Sequence, residues 1–114
     1  MDAPGPPAFD VEVAPRPGGA MMLVRGDMDI ASLPRLERAR DEVLADGPES
    51  VLVDLRAVGF VDSSGLKFLI QTFALARRDG WTLELLRPSA RAMKVFDLTG
   101  AVHQLPFVDA VPDR

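Results

Sequence analysis

The chain has 114 residues, 47% of them hydrophobic and 26% charged, with a formal net charge of −4 at pH 7. That length carries one hydrophobic core and is too short for two. The acidic balance argues against a nucleic-acid binder, which needs a basic stripe, and against adhesion to anionic membranes; the lack of cysteine removes disulfides, thiolate nucleophiles and Cys-rich zinc sites.

Residues 1–7 are dominated by Pro and Gly and are expected to be a disordered lead-in to a single domain over residues 8–110. They have neither the positive region nor the apolar core of a signal peptide, and no apolar run reaches membrane-spanning length, so a cytoplasmic protein is expected. Phe9, Val11 and Val13 alternate with polar residues, the period of a half-buried strand. Pro15-Arg16-Pro17-Gly18-Gly19 is turn chemistry before a second run from Ala20 to Arg25, which predicts a hairpin. Gly26-Asp27-Met28-Asp29-Ile30 is expected to end that strand. Ser32 then offers a cap for a helix with Pro34 in its first turn and Leu36, Ala39 and Val43 at helical spacing; Gly47-Pro48 stops it.

Val51 to Leu55 is a short apolar run with β-branched residues, the pattern of a central strand covered on both faces. Leu66, Leu69, Ile70 and Phe73 form an apolar stripe on the next helix, and Arg77, Arg78 and Gly80 close it. Phe68 and Leu75 lie roughly opposite that stripe and are either a docking patch or packed beneath a neighbouring helix. Trp81 to Leu86 alternates again. Pro88-Ser89 opens a third helix through Ala92, Val95 and Phe96, with Gly100 as its C-terminal cap, and Pro106 to Val108 is a short edge strand. The expected fold class is α/β: one domain with a mostly parallel sheet of four to five strands, an N-terminal hairpin and three, or at most four, helices.

Asp62-Ser63-Ser64-Gly65-Leu66 sits between the central strand and the second helix. A Ser in the first turn of a helix meets unpaired backbone N–H groups and the positive end of the helix dipole, which favour an anion. Asp-Ser-Ser before an apolar periodic run reads equally as an ordinary N-cap. Hydrolytic chemistry finds no support. The only imidazole is His103, and Ser64-Gly65-Leu66-Lys67 matches S-x-x-K without its S-D-N and K-T-G companions. No phosphate-cradling glycine loop occurs, and Asp27 with Asp29 is too few oxygens for a divalent metal. No catalytic residue, metal or cofactor is expected.

These segments together resemble the STAS domain of anti-sigma factor antagonists. Gly26-Asp27-Met28-Asp29 with Ser32 looks like the family's Gly-Glu-Leu-Asp…Thr segment. Val53-Asp54-Leu55…Phe60-Val61-Asp62-Ser63-Ser64-Gly65-Leu66 looks like its phosphoacceptor strand and loop. Gly80-Trp81…Ser89 and Val95-Phe96-Asp97-Leu98-Thr99-Gly100 look like its fourth-strand and third-helix signatures. The resemblance spans about residues 9–108. It departs from the pattern in Asp27 for Glu, in Ala31-Ser32 where Thr is preferred, and in Asp109 to Arg114 where many relatives continue into a fourth helix.

The resemblance implies a bacterial, cytoplasmic binding module and no enzyme. Its unphosphorylated form would bind an anti-sigma factor that is also a serine kinase, and so free the sigma factor. Phosphorylation of Ser64 would end that complex and a PP2C-type phosphatase would restore it. Asp29, Asp62, Ser63, Gly65 and Phe68 would belong to the partner surface. The alternative within the fold is an adaptor subunit of a transport complex or a signalling scaffold, in which the serine is never phosphorylated.

Overall fold

The computed structural model describes residues 8–112; the expected lead-in over residues 1–7 lies outside the described residues. Strands β1 (Asp10–Arg16) and β2 (Gly19–Met28) form the N-terminal hairpin. Helix α1 (Leu33–Ala45), β3 (Ser50–Val61), α2 (Ser63–Asp79), β4 (Thr82–Leu86), α3 (Ala90–Thr99), a 3₁₀ turn at Ala101–His103 and β5 (Phe107–Val108) follow. The strands lie in sequence order in one five-stranded sheet, antiparallel only between β1 and β2. This is the expected α/β class, with three α-helices among the described residues and the short β5 at the edge. None of these helices is long and apolar enough to cross a membrane.

Val51 to Leu55 are all buried, as a central strand covered on both faces must be. Val51, Val53, Leu55, Leu83 and Leu85 join Leu36, Phe68, Leu69 and Phe96 from the helices in one cluster. Leu52 and Leu86, at 1% and 0% exposure, stand outside that cluster and project to the other side, since side chains alternate along a strand. On that side Arg16 of the β1 edge donates to the Pro112 carbonyl at 3.1 Å, so the chain after β5 returns towards the opposite edge of the sheet.

Two strands run further than their patterns predict. β2 continues through Gly26 to Met28, because Gly26 takes φ +91°, where a Cβ would lie 3.0 Å from the Phe9 Cα. β3 continues to Val61 because it absorbs two extra residues: Leu23 pairs with Asp54 but Arg25 with Ala57, and Gly26 pairs with Val58 but Asp27 with Phe60. Each bulge shifts the inward side chain by one, so the two-residue period breaks after Leu55 while pairing persists.

Asp54 holds the first bulge. Its Oδ1 accepts from the Arg56 backbone N and Nε, both at 3.0 Å, and its Oδ2 accepts from Arg56 Nη2 at 2.9 Å. The Arg56 guanidinium holds the Asp54 carboxyl below its ordinary value of 3.8, against an opposing contribution from burial. A carboxylate whose folded pKa is depressed stabilises the fold above its unfolded pKa and loses that contribution as pH falls through the folded one. The thermal midpoint should therefore drop more steeply below about pH 4 in the wild type than in Asp54→Asn, measured by calorimetry from pH 7 to 3. Parallel acid limbs in the two proteins would remove Asp54 from the account.

Candidate functional site: the Asp62–Ser64 turn at the carboxyl end of the sheet

β2 and β3 end side by side, Met28 opposite Val61, and the Asp62 backbone N donates to the Met28 carbonyl at 3.1 Å. Asp29 and Asp62 thus leave the same edge of the sheet on adjacent strands. Asp62 itself is the N-cap of α2, with extended backbone (φ −97°, ψ −174°), and its Oδ1 accepts from Ser64 N at 2.8 Å and Gly65 N at 3.1 Å. With Asp62 as the cap of the Asp-Ser-Ser segment, both serine hydroxyls are left over. Ser63 is exposed and Ser64 half-buried in the first turn, and among the described residues neither hydroxyl has a hydrogen-bond partner. The geometry leaves a hydroxyl in the first turn of a helix, next to the capping Asp62 and on the sheet edge that also carries Asp29.

The Asp29 loop differs from expectation. Ser32 precedes α1 but has helical backbone (φ −85°, ψ −14°) and makes no side-chain cap. An N-cap hydroxyl reaches forward only from extended backbone. Instead the Ser32 Oγ accepts from Asp29 N at 2.9 Å and donates to Asp29 O at 3.0 Å, while Ser32 N donates to Asp29 Oδ1 at 3.0 Å. Asp29 is therefore tied into a closed loop, not free, and that loop lifts Ile30 to 73% exposure.

Residues 12–108 match the family model described as "Mlab, STAS domain". The chain belongs to the STAS-domain family. It is 40% identical over 67 residues to the anti-sigma-F factor antagonist RsfB of Mycobacterium tuberculosis, which covers 59% of this chain and 55% of that relative, so the match spans about half the relative's length. It is 30% identical over 92 residues to the anti-sigma-B factor antagonist of Bacillus subtilis, covering 81% of this chain and 84% of that one. The crystal structure of an anti-sigma factor antagonist from Mycobacterium paratuberculosis matches with a TM-score of 0.76 at 28% identity, over 91% of this chain and 88% of that one.

Within this STAS domain two residues expected at the partner surface turn inward. Phe68 is 1% exposed, under the Arg40 guanidinium at 5.1 Å from its ring centroid. It belongs to the buried stripe of α2, which runs Gly65, Phe68, Leu69, Thr72 and Ala76. Ile70, expected inside, is 41% exposed. Gly65 is buried because α2 starts directly on the end of β2. A Cβ there would stand 2.7 Å from the Met28 carbonyl oxygen and 2.8 Å from the Met28 Cβ. Gly65→Ala should therefore cost about 1–3 kcal/mol in urea unfolding, the usual cost of forced overpacking. A variant as stable as wild type would show that the turn has room to shift.

Two exposed apolar residues at this edge escaped the sequence reading. Phe60, 51% exposed, is paired with Asp27 beyond the second bulge, outside the run read as strand. Ile30 sits in a four-residue loop, where no periodicity marks it. Asp29, Asp62, Ser63 and Ser64 are brought to one edge with them.

Proposed function

We propose that this STAS domain is an anti-sigma factor antagonist, a cytoplasmic binding module whose unphosphorylated form binds an anti-sigma factor with serine kinase activity. Phosphorylation of Ser64 ends the complex, and a PP2C-type phosphatase reverses it. The single observation that supports this reading best is the division of labour in the Asp62 turn. Asp62 alone caps α2, so the Ser64 hydroxyl is not needed for the fold and remains available for chemistry. The relatives from Mycobacterium tuberculosis and Bacillus subtilis, both anti-sigma factor antagonists, point the same way.

The charge argument gives the size of the switch. A phosphoserine adds nearly two negative charges next to Asp62, on the edge that also carries Asp29. Each like-charge pair near 4 Å is worth about 1 kcal/mol in water and about 4 at an interface-like effective dielectric. A few kcal/mol is a loss of about a hundredfold in affinity or more.

The test is phosphosite mapping by mass spectrometry after incubation with the kinase encoded nearest the gene, with affinity measured before and after. Stoichiometric phosphate on Ser64 together with lost binding is expected. A domain that is never phosphorylated but still binds a partner would instead be the adaptor or scaffold of the alternative reading.

A further inference from the structure

We propose that the partner surface does not stop at the serine turn but runs the length of α2, and that it receives an acidic amphipathic helix of the anti-sigma factor. The inference rests on the function proposed above for the identity of the partner. Ser63, Lys67, Ile70, Ala74 and Arg77 follow one another at spacings of four, three, four and three residues, and all five are exposed. That 3.5-residue average is the period along which one helix faces another. At 1.5 Å per residue the stripe is about 21 Å long, four turns of a docked helix.

The lower half of the stripe is a groove. Ile70, Phe73, Ala74 and Arg77 on α2 face His103 and Leu105 across a cleft of about 500 Å³. Its floor is apolar, and no carboxylate lines it. Arg77 lies over the Phe73 ring at 5.9 Å, and neither Arg77 nor Lys67 has a carboxylate partner among the described residues. On a chain of net charge −4, Lys67 and Arg77 thus place two positive charges on either side of the exposed Ile70 along this stripe. A helix with apolar residues on one side and carboxylates on its flanks is the complement, in the helix-in-groove mode.

Continuity with the serine turn gives the stripe a regulatory meaning. Ser63 heads it, Ser64 is the next residue, and Lys67 lies three residues beyond Ser64, close enough on a helix to pair with a phosphate there. Phosphate on Ser64 would neutralise Lys67 and repel the carboxylates of the docked helix. Release would therefore involve the groove as well as the turn.

The test uses the full chain and the kinase encoded nearest its gene, by calorimetric titration of the unphosphorylated proteins. Ile70→Asp and Arg77→Glu should each weaken binding about tenfold or more, as truncation of an interface anchor does, and Arg77→Glu should also reduce the salt dependence of affinity. Arg38→Glu, an exposed charge reversal on α1 outside the groove, should bind as wild type. Far-ultraviolet dichroism and thermal midpoints check that all variants are folded. Wild-type affinity for both Ile70→Asp and Arg77→Glu would overturn the groove and leave the proposed function standing. Failure of the wild type to bind the kinase would overturn the proposed function, and the docked helix with it.

Discussion

Ser64→Ala is expected to bind the anti-sigma factor kinase persistently and to take up no phosphate, while Ser64→Asp binds poorly. The first outcome follows from the cap. Asp62 accepts from the Ser64 and Gly65 backbone N–H groups, so replacing the Ser64 hydroxyl by hydrogen removes no hydrogen bond and should change stability little. The second follows from charge, since a carboxylate at position 64 adds to Asp62 on an edge that also carries Asp29. One charge and a planar group reproduce only part of a phosphate, so the loss for Ser64→Asp should fall short of the roughly hundredfold loss expected for the phosphorylated protein. Ser63→Ala should remain a substrate, because the proposed acceptor Ser64 is intact, and should keep its stability, because Ser63 makes no cap. Phosphate on Ser63 with Ser64 unmodified would overturn the assignment, and tight binding by fully phosphorylated protein would overturn the mechanism.

The elements whose signals are local were legible from the sequence. Ser89 accepts from Ala92 N and Gly100 takes φ +77°, so α3 starts and stops where a capping Ser and a terminal Gly predict. Gly80 closes α2 in the same way. What escaped was set by tertiary contact. The inward stripe of α2 passes through Gly65 and Thr72, whose residue types carry no apolar signal. Gly65 is required by Met28, and Thr72 is satisfied inside the helix, donating its Oγ1 to the Phe68 carbonyl at 2.7 Å. Counting only large apolar residues therefore rotates the helix and exchanges the places of Phe68 and Ile70. The bulges of β3 and the Asp29–Ser32 loop are likewise consequences of pairing with β2 and of local hydrogen bonding, which spacing alone does not report. In the site, the position of Asp62, Ser63 and Ser64 at the strand-to-helix junction was legible, and the division of roles among them was not.

Phe68→Ala separates a core residue from a docking residue, and a large stability effect is expected of it. The ring is 1% exposed, lies under the Arg40 guanidinium, and sits one turn from Thr72, which Arg40 Nη1 also reaches at 3.4 Å. Truncating a buried Phe typically costs about 3–5 kcal/mol, from lost transfer free energy together with the cavity left behind. Folded domains have only about 5–15 kcal/mol in hand, so the thermal midpoint should fall by more than about 10 °C. Arg40 should magnify the loss, because its side chain is only 13% exposed and would lose the ring that its guanidinium covers. Phe68→Leu should recover most of the stability, since it refills much of the volume without the ring. Urea unfolding of the three proteins, with affinity for the kinase measured well below the lowest midpoint, decides the matter. A core role predicts lost stability with affinity per folded molecule close to wild type. A Phe68→Ala protein of wild-type stability with weakened binding would return Phe68 to the partner surface and require α2 to rotate on the sheet.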